Sequence, residues 1–203
     1  MKSIVVENKE VMPSKIICIG RNYVDHINEL GNEIPDEMVV FIKPNNAISN
    51  ELNSFDQEPL HYEGELCFMY QNGTLSAVGF GLDLTKRQLQ TELKAKGLPW
   101  ERAKAFDGSA VFSDFVTINS IDSTLSLELS INQRVIQQGG VELMMYKPAE
   151  ILKELQRFIT LEDGDVVMTG TPKGVGAIVT GDRFKGRILV NDKEVCCSSW
   201  LAN

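Results

Sequence analysis

The sequence predicts an α+β fold that is mainly β, a sandwich or roll with a few short helices. Three observations support this expectation. Short apolar runs of strand character outnumber the helical segments, and the two kinds do not alternate as they would in a doubly wound sheet. Asn72-Gly73 separates two apolar runs, which is the strongest short-range signal for a β-hairpin. No internal repeat recurs, so a repeat architecture is not expected.

The length and composition are those of one globular domain. The chain has 203 residues, of which 43% are hydrophobic and 24% charged. A chain of this size can bury roughly 70% of its extended surface around one core. The composition shows no bias toward disorder, fibres or membranes. We therefore expect residues 1–203 to form a single domain.

The acidic charge balance argues against some partners. The 28 acidic and 20 basic residues give a formal net charge of −8, which offers no basic surface to nucleic acid or anionic lipid. Residues 1–8 do not resemble a secretory leader, and no apolar run reaches the length of a membrane-spanning helix. We expect a cytoplasmic protein without a nucleic-acid or membrane partner. Its four cysteines lack the spacing of zinc or redox sites and are predicted to be structural thiols.

Apolar periodicity and breaker residues place the individual elements. Glycines end the first strand and the first helix, and Thr85 with Gln88 matches a helix-capping box. The elements predicted in order are a strand at residues 15–19, a helix at 24–30, strands at 39–42, 62–70 and 74–82, a helix from Thr85 to Gly97, a strand at 110–115, a strand at 126–131, a helix opening at Pro148, a strand at 166–169 and a β segment at 181–190.

Two glutamates share one face of the strand predicted at residues 62–70. Side chains alternate along a strand, so Glu63 and Glu65 point away from the face that carries Leu66 and Phe68. Two residue rises, roughly 6.6 Å, separate their Cα atoms, so both carboxylates can reach one ion. Hard divalent cations such as Mg²⁺ prefer oxygen ligands. The alternative is a solvated polar face, which is routine on antiparallel sheets.

Asp83 is a candidate third ligand, because it ends an apolar strand just before a helix. It could instead cap that helix, but Thr85 already fits the N-cap position. An ideal two-residue hairpin would place Asp83 opposite Tyr62, on the face away from the glutamates. A metal site therefore requires a shift in register, which a β-bulge at Gly79 or Gly81 could provide.

His26 and Glu29 lie at positions i and i+3 of the first predicted helix and share a face. An imidazole oriented by a carboxylate is a general base near neutral pH, and such proton transfer typically contributes about 10²–10⁴ in rate. The pair could also be an ordinary surface contact.

Two further features could contact an anion. The loop at residues 169–176 follows a strand and offers backbone amides and hydroxyls that could hold a carboxylate. It lacks the spacing of a P-loop, so nucleotide binding is not expected. Lys104 could meet an anionic substrate, or it could be solvated like most lysines.

Together these segments resemble the fumarylacetoacetate hydrolase family, and within it the small single-domain branch that includes acylpyruvate hydrolases and oxaloacetate decarboxylases. The resemblance spans nearly the whole chain. The segments that carry it are Gly20-Arg21-Asn22-Tyr23 with His26, Phe41-Ile42-Lys43-Pro44, His61-Tyr62-Glu63-Gly64-Glu65, Asp83-Leu84-Thr85 with Arg87 and Gln90, Lys96-Gly97-Leu98-Pro99-Trp100, Ala103-Lys104-Ala105-Phe106-Asp107 and Thr169-Gly170-Thr171-Pro172-Lys173-Gly174-Val175-Gly176.

The resemblance implies a mixed β-sandwich roll that forms a homodimer. It implies Mg²⁺ or Mn²⁺ on Glu63, Glu65 and Asp83, with Ca²⁺ as a substitute under crystallisation conditions. His26 and Glu29 would form a dyad on a segment that closes over the substrate, with Lys104 as a further catalytic residue. The substrate-binding residues that it implies are Arg21, Tyr23, Lys43, Arg87, Gln90 and Thr171.

Two positions depart from the family pattern. Asn72-Gly73 replaces a longer connection with a short helix between the paired glutamates and the aspartate. Gly64 stands where a larger apolar residue is common, and we expect it to loosen the strand locally.

The function implied by the resemblance is hydrolysis of a carbon–carbon bond in a 2,4-dioxoacid of the acylpyruvate or fumarylpyruvate type, giving pyruvate and a carboxylic acid. His26 would remove a proton from water, and the cation and Lys104 would stabilise the departing pyruvate-like enolate. Decarboxylation of oxaloacetate and isomerisation of an unsaturated dioxoacid on the same metal site are alternatives. A non-catalytic protein that binds a dicarboxylate or acts as a scaffold is another.

Overall fold

The strands and helices follow the predicted order, with additional short strands between them. A computed structural model describes residues 1–31 and 33–203. The strands are β1 (Ile4–Val6), β2 (Lys9–Val11), β3 (Lys15–Gly20), β4 (Val39–Pro44), β5 (Ile48–Ser49), β6 (Phe55–Asp56), β7 (Glu58–Tyr62), β8 (Gly64–Gln71), β9 (Thr74–Asp83), β10 (Thr85–Lys86), β11 (Ala110–Phe112), β12 (Val116–Thr117), β13 (Leu125–Ile131), β14 (Arg134–Gly140), β15 (Val166–Met168), β16 (Gly176–Ala177), β17 (Arg183–Val190) and β18 (Lys193–Leu201). The helices are α1 (Val24–Glu29), α2 (Arg87–Ala95), α3 (Glu101–Lys104) and α4 (Pro148–Leu155), with 3-10 turns at Asn45–Ala47 and Val141–Leu143.

An eight-stranded mixed sheet forms the centre of the fold. Its order is β4-β3-β15-β8-β9-β11-β5, with β12 also paired to β9. Strand β15 runs parallel to β3 and β11 runs parallel to β5, while the other neighbours are antiparallel. A four-stranded antiparallel sheet has the order β14-β13-β17-β18, and smaller sheets are formed by β10-β7-β16 with β6 and by β1-β2. This mainly β architecture with a few short helices confirms the predicted fold class.

The central sheet is buried on both faces. Alternation along β8 sends Leu66 into one hydrophobic cluster and Cys67 into the other. On the first face the ring of Phe80 lies 6.1 Å from the ring of Trp200 in the second sheet. Gly186 allows this approach, because a Cβ at that position would overlap the Phe80 ring. Burial on both faces explains why these strands appear in the sequence as continuous apolar runs.

One predicted strand is divided beside the candidate site. The apolar run at residues 62–70 belongs to two strands, β7 and β8, and Glu63 lies between them. Strand β7 leaves the central sheet and pairs with β10 and β16 instead. Glu63 therefore sits at a junction of two sheets, whereas the sequence predicted it inside one strand.

The predicted cap of the second helix is also wrong. Helix α2 has Lys86 at its N-cap position, and Thr85 lies in the short strand before it. The carboxylate of Glu58, from β7, accepts hydrogen bonds from the backbone N–H groups of Gln88 at 2.8 Å and Leu89 at 3.2 Å. A side chain that is distant in sequence thus satisfies the first-turn amides.

None of the helices described in residues 1–31 and 33–203 is long and apolar enough to cross a membrane. The four cysteines are free thiols, of which Cys18 and Cys67 are buried in the central sheet. Cys196 is half-buried and Cys197 is exposed.

Candidate active site

Three carboxylates meet where β8 begins and β9 ends. One oxygen from each of Glu63, Glu65 and Asp83 lies within 4.8 Å of the others. All three side chains are buried. The structure therefore brings the three predicted ligands together, although they come from a strand junction, the start of one strand and the end of another.

A β-bulge close to the hairpin turn brings Asp83 to the side of the glutamates. The register between β8 and β9 shifts by one residue between Met69 and Tyr70, which leaves Ser76 as the extra residue in β9. The shift sets Asp83 opposite Glu63, and the Asp83 N–H donates to the Glu63 carbonyl at 2.9 Å.

The predicted register shift is therefore confirmed, but its predicted position is wrong. Gly79 and Gly81 lie in regular pairing and serve the packing of the sheet. A Cβ on Gly79 would lie 2.9 Å from the ring of Phe115, and one on Gly81 would overlap the sulfur of Cys67. These glycines admit large neighbours, while the bulge lies nearer the turn.

Positively charged side chains, two of them buried, surround the carboxylates. Lys104 Nζ donates to Glu63 Oε2 at 2.9 Å and to Asp83 Oδ2 at 2.6 Å. Lys43 Nζ lies 2.8 Å from Asp83 Oδ1, and the Arg87 guanidinium pairs with the other oxygen of Glu63. Three carboxylates thus face three cations that come from β4, α2 and α3.

This environment lowers the pKa of Glu63 and raises the pKa of Glu65. Burial opposes the ionisation of Glu63, but Lys104 and Arg87 outweigh it and hold the pKa of this carboxyl well below its usual range. Burial is also the largest influence on Glu65, and there the charges of Asp83 and Glu63 add to it, so the pKa of Glu65 is raised. A cation among the three oxygens would favour the ionised form of Glu65.

The oxygen set fits a hard divalent cation. Mg²⁺, Mn²⁺ and Ca²⁺ bind carboxylate oxygens, and three such oxygens are close together here. Within the described residues, Asp83 Oδ1 is buried and accepts no hydrogen bond, because the Lys43 ammonium near it is not aligned as a donor. The Lys43 ammonium already supplies a positive charge 2.8 Å from this oxygen, and a bound cation would add a directed bond to it.

His26 and Glu29 make the predicted contact on α1. His26 Nδ1 lies 3.3 Å from Glu29 Oε2, and the imidazole is buried and faces the cleft that holds the carboxylates. If Nδ1 donates to Glu29, Nε2 is left as the acceptor of the ring. The backbone N–H of Gly174 donates to both oxygens of Glu29, at 3.0 and 3.1 Å, and so holds the dyad from the other side.

The loop at residues 169–176 binds two carboxylates of the protein through its amides. The Gly170 N–H donates to Glu65 Oε2 at 2.7 Å, and the Gly174 N–H donates to Glu29. The expectation that this loop can hold a carboxylate is met, but by the protein's own side chains. The loop therefore connects a candidate metal ligand to the dyad.

A narrow cleft of about 40 Å³ gives access to the carboxylates. This volume holds about three water molecules, since one water needs roughly 10–15 Å³ by this measure. The predicted site residues that line it are Arg21, His26, Glu63, Glu65, Asp83, Arg87, Gln90, Lys104 and Thr171.

Tyr23 and Lys43 do not line the cleft, and their predicted contact with substrate stays a prediction. Tyr23 is 2% exposed and belongs to the main hydrophobic cluster, where burial raises the pKa of its hydroxyl. Lys43 is fully buried and donates to the backbone carbonyl of Lys104. Lys43 therefore supports the site through its contacts with Lys104 and Asp83.

Lys94 and Trp100 also line the cleft and were not predicted from the sequence. Lys94 follows Arg87 and Gln90 at positions i, i+3 and i+7, so the three share the face of α2 that borders the cleft. Its Nζ lies 5.8 Å from the centroid of the Trp100 ring. Burial, and then the charges of Arg21 and Arg87, lower the pKa of Lys94. The helical spacing of these polar residues could have predicted that Lys94 lines the cleft.

The chain is similar to a known family and to known proteins over most of its length. Residues 15–198 match the family model described as fumarylacetoacetate (FAA) hydrolase C-terminal. An oxaloacetate tautomerase of Escherichia coli (strain K12) is 38% identical over 191 residues, which cover 84% of this chain and 86% of that protein. A mitochondrial oxaloacetate tautomerase of Schizosaccharomyces pombe is 36% identical over 200 residues, with 89% and 90% covered.

Solved structures agree with these matches. The crystal structure of fumarylpyruvate hydrolase from Pseudomonas aeruginosa, in complex with Mn²⁺ and pyruvate, has a TM-score of 0.86 to this chain at 28% identity. The similarity covers 99% of this chain and 95% of that one. These relatives are enzymes that act on oxoacids.

Proposed function

Because the chain belongs to the fumarylacetoacetate hydrolase family, we propose that it is a divalent-metal-dependent enzyme acting on a small 2-oxodicarboxylate. The first candidate reaction is the keto–enol tautomerisation of oxaloacetate. The observation that carries the proposal is a group of three buried carboxylates in the same cleft as His26, whose Nδ1 contacts Glu29. Two relatives, at 38% and 36% identity, are named oxaloacetate tautomerases, so we rank this reaction ahead of the hydrolysis expected from the sequence.

Glu63, Glu65 and Asp83 are the residues that would hold Mg²⁺ or Mn²⁺. When bound, such a cation acts as a Lewis acid that orients the substrate carboxylate and oxo group and stabilises negative charge on the oxo oxygen. Lys104 adds a fixed positive charge to the same place. Burial lowers its pKa, but Asp83 and Glu63 outweigh burial and keep the ammonium charged.

His26 is the residue that would carry the proton. Tautomerisation breaks a C–H bond at the carbon next to the oxo group, forms a C=C bond and forms an O–H bond, without any change in oxidation state. With Nδ1 bonded to Glu29, His26 Nε2 accepts the proton from carbon and then delivers it to oxygen. Between these steps Lys104 stabilises the negative charge on the substrate.

The cleft favours a second carboxylate on the substrate through its positively charged side chains. Arg21 and Lys94 line it together with Arg87. The lowered pKa of Lys94, caused by burial and then by these two arginines, indicates a concentration of positive charge. Oxaloacetate carries a carboxylate at each end, whereas acetylpyruvate carries only one. The charge pattern therefore supports a dicarboxylate substrate.

Replacing Lys94 by Met should raise KM for oxaloacetate about tenfold, because a charge-assisted hydrogen bond contributes roughly 1.5 kcal/mol at the low end of its range. The kcat should stay nearly the same, since an interaction made equally in ground and transition states affects KM alone. Steady-state kinetics measure both parameters. Lys96→Met, an exposed lysine of the same segment, is the matched control. An equal rise in KM for acetylpyruvate would show that Lys94 does not recognise the second carboxylate.

Hydrolysis of a 2,4-dioxoacid is the second candidate function. It is favoured by the fumarylpyruvate hydrolase of P. aeruginosa, whose fold matches with a TM-score of 0.86. In this reaction His26 would take its proton from water, and hydroxide would add to the distal carbonyl. The carbon–carbon bond would then break, with the electron pair left on the pyruvate fragment, which would take up the proton held by His26. The two reactions differ in whether water reaches the distal carbonyl.

Parallel assays of oxaloacetate, fumarylpyruvate and acetylpyruvate test both candidates. Each substrate is followed by its ultraviolet absorbance with Mg²⁺, with Mn²⁺ and after treatment with EDTA. We expect oxaloacetate tautomerisation to be the fastest reaction, to disappear with EDTA and to return with either cation. Turnover of none of the three substrates, or full activity after metal removal, would overturn the proposed function.

Oxalate should raise the melting temperature of the protein only when Mg²⁺ is present. Oxalate offers two adjacent oxygens, like the carboxylate and enolised oxo group of the substrate. A ligand at a hundred times its Kd stabilises the native state by about 2.7 kcal/mol, which is roughly 5–10 °C for a chain of this size. Thermal unfolding with each component alone gives the controls. No shift with the two together would favour a non-catalytic scaffold.

A further inference from the structure

Strand β14 contains a buried glutamine in a mostly exposed stretch. Gln137 is fully buried, while Val135, Ile136 and Gln138 are exposed. The pairing of β14 with β13 shifts by one residue beside Leu129, which leaves Ile136 as an extra residue in β14. Bulges of this kind re-aim the side chains that follow them and are frequent next to active sites. The bulge explains how Gln137 faces the interior.

The amide of Gln137 connects the metal-ligand segment to the loop at residues 169–176. Its Oε1 accepts from the Gly64 N–H at 2.9 Å, and its Nε2 donates to Thr171 Oγ1 at 2.9 Å and to the Pro172 carbonyl at 2.8 Å. The Gly64 N–H can only donate and the Pro172 carbonyl can only accept, so the orientation of the amide is unambiguous. The Thr171 hydroxyl in turn donates to the Gly64 carbonyl at 2.8 Å.

Gly64 provides the space for this contact. A Cβ at Gly64 would lie 3.0 Å from Gln137 Oε1 and 3.0 Å from the ring of Phe80. The expectation that Gly64 loosens the strand is therefore wrong, because both of its backbone polar groups are bonded by Gln137 and Thr171. Glu63 and Glu65 flank this fixed residue.

The loop at residues 169–176 also contacts the His26–Glu29 dyad. The Gly170 N–H bonds Glu65, the Gly174 N–H bonds Glu29, and the contacts of Gln137 lie between these two points. Gly174 has a φ of +100°, and a Cβ there would overlap the carbonyl oxygen of Ile136, the bulge residue. The bulge in β14 therefore supports the loop as well as aiming Gln137.

We propose that Gln137 is a positioning residue that holds the Glu63–Glu65 segment and the loop at residues 169–176 in the geometry needed for cation binding and for the dyad. This inference rests on the proposed function, because it assigns Gln137 to the same site. Gln137 does not line the cleft and acts only through its neighbours.

Gln137→Met tests the role of the three hydrogen bonds at nearly constant side-chain length. The affinity for Mn²⁺, measured by calorimetry at a temperature where the variant is folded, should fall by about 10–100-fold, as for other residues that orient metal ligands. The kcat with saturating Mn²⁺ should fall as well, because the loop also holds Glu29. Gln138→Met, its exposed neighbour on β14, is the matched control and should leave both quantities unchanged.

Gln137→Glu supplies a test by rescue. A carboxylate keeps an acceptor for the Gly64 N–H but sets an oxygen against the Pro172 carbonyl, so Mn²⁺ affinity should fall at neutral pH. Protonation restores a donor, and burial moves this protonation upward into an accessible pH range. The ratio of variant to wild-type affinity should therefore rise toward one as the pH is lowered. A ratio that stays well below one at every pH would contradict the hydrogen-bonding role.

Hydrogen exchange on the unaltered protein gives an independent measurement if a variant misfolds. Mn²⁺ should slow exchange at the Gly170 and Gly174 amides together, since the loop is held as one unit. Protection of Gly170 alone, or wild-type Mn²⁺ affinity in folded Gln137→Met, would overturn the positioning role and leave the proposed function intact. Failure of the wild-type protein to bind Mn²⁺ and to turn over any oxoacid would instead overturn the proposed function itself.

Discussion

Glu65→Gln should abolish cation-dependent turnover and leave the cation-free protein at least as stable as the wild type. Turnover should fall by about 10³ or more, because Lewis-acid stabilisation supplies several kcal/mol and each 1.36 kcal/mol is tenfold in rate. Stability should be kept because burial, and then the charges of Asp83 and Glu63, raise the pKa of Glu65, so the folded protein favours its neutral form more than water does. The glutamine imitates that neutral form and can still accept from the Gly170 N–H.

Asp83→Asn should remove turnover as well, but at a large cost in stability. Asp83 is the partner of both Lys43 and Lys104, which are buried. Breaking a buried ion pair by removing one partner typically costs about 3–5 kcal/mol, because it leaves a charge without compensation. The two variants therefore separate the catalytic role of the site from its structural role.

Thermal unfolding in EDTA, Mn²⁺ calorimetry and steady-state kinetics measure the three quantities. The expected pattern is loss of Mn²⁺ binding in both variants and a lowered melting temperature only in Asp83→Asn. Activity like that of the wild type in either variant would remove the cation from the mechanism. Equal destabilisation of both would contradict the inferred difference between Glu65 and Asp83.

Local rules were sufficient for much of the site. The dyad was predicted from an i, i+3 spacing, which depends only on helical geometry and is preserved in α1. The hairpin at Asn72-Gly73 was predicted from backbone preference, and both residues have positive φ, at 49° and 83°. Features that depend on a few neighbouring residues were therefore accessible from the sequence.

Features that depend on contacts between residues far apart in the sequence could not be predicted. The bulge at Ser76 has no local signature, because packing across the sheet determines where the extra residue is accommodated. Glu58 replaces Thr85 in capping α2 from another strand. Gln137 is a polar residue in an exposed stretch, and its burial follows from a bulge and from the space left by Gly64. Each depends on residues that are adjacent only in the folded chain.

His26 is the proposed proton carrier, so its loss should have a large effect on turnover. His26→Asn should lower kcat by about 10²–10⁴, the range for loss of a positioned general base. The affinity for Mn²⁺ should change little, because His26 is not among the three carboxylate residues that meet at the site. The chain has two histidines, and His61, which lies in β7 outside the cleft lining, provides the matched control as His61→Asn.

Glu29→Gln tests how the imidazole is oriented. A glutamine can donate to Nδ1, which would place the ring proton on Nε2 and leave no acceptor facing the substrate. We therefore expect a loss of kcat in this variant even though His26 is present. The side-chain oxygen of glutamine can still accept from the Gly174 N–H, so the loop contact is retained.

Chemical rescue distinguishes a proton carrier from a residue that only shapes the cleft. His26→Ala leaves a space beside the carboxylates, and added imidazole should restore part of kcat in proportion to its concentration if His26 transfers the proton. A structural role would not respond to a diffusible base. Retention of kcat in His26→Asn would instead assign proton transfer to another group.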